Sequence, residues 1–471
     1  MKLDCDQDSL LLLKEYFTFE VPDAAFMRRK NKRLKFWDGK ISLLDMRTRQ
    51  IYLGLLNQVK QFCEFNDIKF VEVNCIPKPD KLDARELKNF IDSLDLENPP
   101  RDYQLEYFIS CLKNQRKTVL SPTGSGKSLI IFLIAEWYKQ KGKRVLVIVP
   151  TIHLVHQMKG DFIDYYPDSE KYIHTIYQGQ DKFLDAPITI STWQSIYELS
   201  FEFFEQYDVI FGDECHSYKA DALQALMKKT VNTQYKFGTT GTLDGVECNR
   251  LILTGLFGEV EKLVSTSELI DTGVLAKLSI KCLILKYTKP DLKYYKSLGK
   301  DFQKELDYIV RHDKRSDIIT RLVNSLKGNT LVLFQFVEKH GVILEEKISK
   351  ECKDKKVYFI HGGVDGEERE RIRKIVDTEN NSVIVASYGT FSTGANIKNI
   401  NNVVFASPSK SRIRVLQSIG RGLRKSSTKD SVILFDIVDH LGDNFALKHF
   451  ENRVELYAEE GFPYSIIDID M

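Results

Sequence analysis

An apolar run at Thr118–Ser121 breaks into Ser-Pro-Thr-Gly-Ser-Gly-Lys-Ser (Ser121–Ser128), and a helical apolar pattern follows from Ser128 to Lys141. No other feature limits the fold as tightly. Glycines in such a loop let backbone N–H groups curl around an anion, and the helix N-terminus adds its dipole. A strand feeding a phosphate-sized loop and then a helix calls for a parallel sheet with crossover helices, which places the chain in the α/β class. Thr123, Gly124, Ser125 and Gly126 form the cradle; Lys127 is placed to reach the β- and γ-phosphates, and the Ser128 hydroxyl to ligate Mg²⁺. Ser121 stands where the GxxxxGK[ST] pattern has its first glycine.

The rhythm around this loop supports the class. Short β-type runs at Arg144–Val149, Ile188–Ser191, Val209–Gly212 and Tyr235–Thr239 alternate with helical patterns such as His153–Asp164. The alternation returns after about Thr272, with strands expected at Thr330–Phe334, Val357–Ile360, Val383–Ala386, Asn402–Ala406 and Val432–Asp436. Two similar α/β layers in tandem follow. The first 98 residues read differently: Asp38-Gly39 signals a hairpin turn between apolar runs, a helix is expected over Asn57–Asp67, and a strand at Phe70–Val73. A small α+β domain over 1–98, a first parallel-sheet domain over 99–272 and a second over 273–471 is the expected division, with Pro99-Pro100 marking the first boundary.

Composition removes several function classes. Lys+Arg 68 against Asp+Glu 66 leaves a net charge of only +2, so any nucleic-acid surface is local rather than a uniform basic coat. No apolar run approaches the ~18 residues of a membrane span, and the acidic start MKLDCDQD is the reverse of a secretory signal. The eight cysteines come no closer than 12 residues apart, which excludes a CxxC zinc pair and implies reduced thiols in the cytoplasm. One segment is charged out of proportion: Phe26–Gln50 carries nine cations, including Arg28, Arg29, Lys30, Lys32 and Arg33, against two acids. Phe36 and Trp37 interleave with them, so the segment is either a base-stacking nucleic-acid patch or a solvated hairpin with its own small core.

Phe211-Gly212-Asp213-Glu214-Cys215-His216 ends an apolar strand in two adjacent acids. Burying paired carboxylates at a sheet edge is costly unless a cation compensates them. A Mg²⁺–nucleotide complex supplies one: Asp213 would hold Mg²⁺ through water, and Glu214 would deprotonate the attacking water.

The DECH sequence paired with this P-loop resembles the superfamily 2 helicases and translocases, and further motifs occur in that family's order. Arg101-Asp102-Tyr103-Gln104 is similar to the adenine-recognition segment, which implies ATP contacts for Arg101 and Gln104. Val149–Gln157 and Ile190–Gln194 resemble two motifs that grip nucleic-acid backbone, implying phosphate contacts for Thr151 and Thr192. Phe237–Thr242 resembles the segment that couples hydrolysis to movement, with His216, Thr240 and Gly394 as coupling residues. Ile360–Gly363 and Ala386–Ile397 imply further nucleic-acid contacts for His361 and Thr390, and Gln417–Arg424 matches QxxGRxxR. The resemblance makes Gln417, Arg421 and Arg424 part of the catalytic machinery, the arginines as fingers on the γ-phosphoryl group.

The match covers about Pro100–Ile437 and implies two RecA-like domains clamping ATP and Mg²⁺. FMRRKNKRLKFWDGKISLLD and ASYGTFSTGANIKNI are similar to bacteriophage recombination and repair helicases. That likeness implies a monomer in a host cytoplasm acting on single-stranded and branched DNA and on RNA–DNA hybrids. Two rivals stand beside it: an ATP-dependent RNA helicase, and a non-catalytic DNA-annealing or clamp protein, which the intact Lys127, Glu214 and Arg421 oppose. A nuclease reading of Asp80 and Glu86–Lys88 fails because the acids are too close to lie on different strands, and a helix start explains them better.

Overall fold

The computed structural model describes residues 1–21, 24–30, 35–73, 82–394, 397, 399–409, 411–423 and 429–471. The chain forms two compact units: Met1–Ser121 with Gly126–Leu263, and Val264–Met471 with Pro122–Ser125.

The first unit holds a seven-stranded, wholly parallel sheet. Its order is Val260–Lys262, Arg116–Leu120, Tyr235–Thr240, Val209–Asp213, Val145–Val149, Ile188–Thr192 and Ile173–Ile176. Val145–Val149 and Val209–Asp213 are buried at every position. This is why Val145–Val149 and the start of Val209–Asp213 read as apolar runs: helices cover both faces of a parallel sheet, and no residue of such a strand faces water. The helix Lys127–Gln140 is buried nearly all round from Leu129 to Tyr138. The second unit repeats the architecture in the order Lys356–Ile360, Ser382–Ser387, Thr330–Phe334, Asn402–Phe405, Ser431–His440, Lys277–Lys286 and Tyr464–Asp470, again all parallel. These are two tandem RecA-like layers.

The N-terminal segment is α+β, with a four-stranded sheet, a two-stranded ribbon and the helices Gln7–Tyr16 and Leu56–Phe65. One expectation is corrected here. Lys40–Ser42, the strand after Asp38-Gly39, pairs with Thr18–Glu20 rather than with a strand just before that dipeptide. The local hairpin lies further on, joining Leu44–Asp45 to Gln50–Ile51. The Asp45 carboxylate accepts from the Arg47 and Thr48 N–H groups, and Arg49 takes a left-handed φ of 56°. An Asp-led turn of this kind closes a hairpin as well as Asp-Gly does.

Leu3, Leu10, Leu13, Phe17, Ile51, Leu55 and Val59 share one buried cluster with Ile148, Ile210, Leu253 and Phe257 of the first sheet and its covering helices. No helix among the described residues is long and apolar enough to cross a membrane. All seven described cysteines are free thiols, and no metal-binding cluster of His, Cys, Asp or Glu occurs among the described residues. Cys75 and Asp80 lie outside those residues.

Candidate ATP and nucleic-acid site

The strand Arg116–Leu120 ends where Ser121 N donates to Thr240 O of the neighbouring strand (2.9 Å). The loop then turns tightly, with Ser125 N and Oγ both donating to Pro122 O (3.3 and 2.8 Å). Gly124 and Gly126 take φ of +89° and +80°, a region that side chains resist. A Cβ on Gly126 would also lie 2.3 Å from Gln104 Nε2. Gln104 is buried; its amide nitrogen donates to Gly126 O (3.4 Å) while its oxygen accepts from Arg101 N (2.8 Å). The segment ahead of the loop therefore braces it from outside. Lys127, the first helical residue, donates to Ser121 O across the loop (2.9 Å). Ser128 Oγ meets Tyr165 OH at 2.9 Å.

Asp213 closes the strand Val209–Asp213 and is 8% exposed, with Thr239 Oγ1 donating to its Oδ1 at 2.7 Å. Burial, and next the Glu214 charge, push its carboxyl up to about 6, against the pull of Thr239 and Lys127. A buried carboxyl crowded by a second, half-buried acid suits a bound cation, and the hard oxygens of Ser128 and Asp213 fit Mg²⁺. The left-handed glycines and the partly open N-terminus of the helix fit a phosphate chain. Glu214 has a φ of 49°, unusual for a residue with a side chain, and backbone strain of this sort gathers at functional sites. Its Oε2 lies 3.2 Å from His216 Nδ1, which also meets Thr240 Oγ1 at 2.8 Å. One imidazole thus touches both the acid and the strand that leads into Gly241-Thr242.

Thr151 and Thr192 stand at the same carboxyl edge of the sheet, Thr151 two residues past the strand Val145–Val149 and Thr192 as the last residue of Ile188–Thr192. Thr151 caps the helix Ile152–Tyr165 by accepting from Leu154 N (3.4 Å). Thr192 is buried and shares a hydroxyl bond with Ser195 (2.8 Å).

In the second unit His361 follows Lys356–Ile360, its Nδ1 accepting from Gly363 N (3.2 Å). Thr390, after Ser382–Ser387, is buried and bonded to Ser387 Oγ (2.8 Å). Gly394 ends the helix Tyr388–Gly394. Gln417 and Arg421 are one turn apart on the helix Arg412–Gly422; Arg424 lies outside the described residues. Arg28 and Arg29 are exposed on the helix Ala24–Lys30, and Arg28 donates to Trp37 O (3.3 Å). Lys30 ends that helix, and Lys32 and Arg33 lie outside the described residues. One site neighbour, Tyr165, carries no motif of its own and no sequence signal marks it, whereas Thr239, which holds Asp213, lies in the Phe237–Thr242 segment without having been singled out there.

Strand order makes this a tandem RecA-like fold, with the loops that carry the predicted site residues at the carboxyl ends of the parallel strands. Family models match at 1–72 (DNA helicase UvsW, N-terminal), 88–245 (type III restriction enzyme, res subunit) and 313–426 (helicase conserved C-terminal domain). The ATP-dependent DNA helicase uvsW of Enterobacteria phage T4 is 33% identical over 500 aligned residues, covering 100% of this chain and 98% of the relative. The crystal structure of T4 UvsW matches at TM-score 0.51 and 31% identity, covering 100% of both chains. The DNA 3'-5' translocase XPB2 of Sulfurisphaera tokodaii is 25% identical, covering 80% of this chain and 89% of that protein. The chain belongs to the UvsW family of ATP-dependent helicases.

Proposed function

We propose that this chain is an ATP-driven motor on branched DNA, forks and junctions above all and RNA–DNA hybrids besides. It would serve recombination, repair and replication in the cytoplasm of a phage-infected cell. The observation that carries the branched-DNA reading is the concentration of charge. Nine cations against two acids lie across Phe26–Gln50 in a chain of net +2, and Arg28 and Arg29 are exposed. Such a patch grips duplex arms through phosphates without reading sequence. The T4 relative's description as a DNA helicase favours DNA over RNA.

At the ATP site Arg101 and Gln104 brace the nucleotide end of the cradle. Thr123–Gly126 wrap the phosphates, and Lys127 leaves Ser121 O to neutralise them. Ser128 and Asp213 would hold Mg²⁺, which supplies charge neutralisation on the phosphoryl oxygens. Glu214, oriented by His216, takes the proton of the attacking water. Gln417, Arg421 and Arg424 stabilise the charge that develops on the γ-phosphoryl group. Thr151, Thr192, His361 and Thr390 hold one strand's backbone, while His216, Thr240 and Gly394 transmit the nucleotide state. Residues 1–98, 99–272 and 273–471 divide the labour into arm-gripping, ATP-binding and closing modules.

ATPase stimulation by single strands, duplex, forked DNA and RNA tests the reading, with forked DNA expected to stimulate most. Replacing Arg28, Arg29, Lys30, Lys32 and Arg33 by alanine should lower the salt slope of fork binding by several units, at about 0.9 per phosphate contact. Single-strand-stimulated turnover should survive. An unchanged slope with unchanged junction unwinding overturns the patch, and strongest stimulation by RNA moves the substrate to RNA.

A further inference from the structure

We propose that Tyr165 is a positioning residue for Ser128: its phenol oxygen receives the Ser128 hydroxyl proton and so leaves a serine lone pair aimed at Mg²⁺. This rests on the reading of Ser128 as a metal ligand. A serine hydroxyl has one proton and two lone pairs, and a metal takes a lone pair. The proton must then go to an acceptor, or it swings through the space the metal needs. Ser128 is the second residue of its helix, and its Oγ meets Tyr165 OH at 2.9 Å, which offers that acceptor.

The acceptor is well held. Tyr165 is the last residue of the helix Ile152–Tyr165, its ring 5.6 Å from that of Phe132 on the P-loop helix. Phe162, one turn earlier, packs on the same Phe132 ring at 5.3 Å. Two aromatic contacts therefore fix the phenol over the first turn of the helix that carries Ser128. A tyrosine phenol is an uncharged hydroxyl that can accept as well as donate, so it adds no charge to the metal site. Partners in this outer position orient metal ligands, and removing them commonly weakens metal binding about 10- to 100-fold.

Tyr165→Phe removes the hydroxyl and keeps the ring between Phe132 and the helix. The experiment titrates Mg²⁺ into the full chain bound to a fluorescent ATP analogue. Affinity for the analogue in EDTA and the thermal midpoint are measured alongside. The expected result is a Mg²⁺ requirement raised about tenfold or more, with unchanged affinity in EDTA and an unchanged midpoint. In the double variant with Ser128→Ala, Tyr165→Phe should add nothing further, because both changes remove one interaction. A wild-type Mg²⁺ titration in Tyr165→Phe overturns the proposal, and so does an equal loss of affinity with and without Mg²⁺, which would make Tyr165 a packing residue. If Ser128→Ala alone leaves the Mg²⁺ requirement untouched, the ligand assignment itself fails, which is a separate result.

Discussion

Glu214 joins a strained backbone to a hydrogen-bonded imidazole, and each half of that arrangement constrains what a substitution can do. Its left-handed φ costs on the order of 1–3 kcal/mol, which only the surrounding loop can sustain. Glutamine keeps the shape and removes the carboxylate proposed as the base. Glu214→Gln should therefore abolish hydrolysis while ATP still binds, and ATP-dependent retention on nucleic acid should tighten; filter binding with and without ATP measures it. Weakened ATP binding would instead make Glu214 a metal ligand. A second residue-scale consequence lies in the buried network of the second unit. His340 Nδ1 meets Ser407 Oγ at 2.9 Å, and its Nε2 faces Arg315 at 3.5 Å. Arg315 is in turn paired with Asp439, to which Tyr287 donates. Burial, then the Arg315 charge, holds the imidazole pKa well below 6.5. The folded protein keeps His340 neutral, whereas the unfolded chain takes up a proton as pH falls through about 6.5. The unfolded state thus binds more protons below that pH, and stability is lost on acidification, by up to about 1.4 kcal/mol per pH unit. Urea unfolding at pH 7 and pH 5 should show a smaller loss for His340→Gln than for the unsubstituted chain.

The helix Arg412–Gly422 is an element of the second unit held at both ends. Arg315 donates to Ala406 O (2.7 Å) and Arg453, locked to Asp436, donates to Ser409 O (2.9 Å), so two buried guanidinium groups pin the segment leading into it. At its far end Ala276 N donates to Leu423 O and Lys429 Nζ to Gly422 O, both at 2.8 Å. An element tethered at both ends suits the transition-state role proposed for its arginines. Arg421→Ala and Arg424→Ala should accordingly reduce turnover far more than ATP affinity. The loss should fall within or below the roughly 10³–10⁵ that such fingers contribute in GTPases. Equal losses in both quantities would mark a ground-state ligand. At this scale the sequence was readable wherever burial is two-sided: Val145–Val149 and Thr330–Phe334 announce themselves as apolar runs because nothing in them faces water. Ile173–Ile176 and Val260–Lys262 were not, since they sit at sheet edges, are short, and are only partly buried. Tyr464–Asp470 is another edge, nearly all exposed, and what defines it as a strand is its pairing with Lys277–Lys286 rather than its own composition. The P-loop and the Asp213-Glu214 pair were legible because they are contiguous, whereas the Ser128–Tyr165 contact joins residues 37 apart through tertiary packing alone.

For the whole molecule, the question is whether the N-terminal module is an accessory or part of the motor's first half. The contact between them is close. A Cβ on Gly54 would lie 1.9 Å from Thr254 O, and one on Gly255 would lie 2.6 Å from Tyr52 Cβ. Tyr52 OH donates to Gln224 Oε1 (3.1 Å), and Asn57 Nδ2 to Glu259 Oε1 (2.8 Å). Around these glycines Leu3, Leu13, Phe17, Leu55 and Val59 are buried in the same cluster as Ile252, Leu253 and Phe257. Two bodies that share a core unfold together, because removing either exposes the other's apolar face. Gly54→Ala should destabilise by about 3 kcal/mol, since the new methyl meets backbone rather than a side chain that can turn away. The loss should appear as one transition in which the N-terminal module and the first sheet become protease-sensitive together. Digestion of residues 1–72 that left an intact, ATP-binding first sheet would show instead that the basic module is a detachable arm.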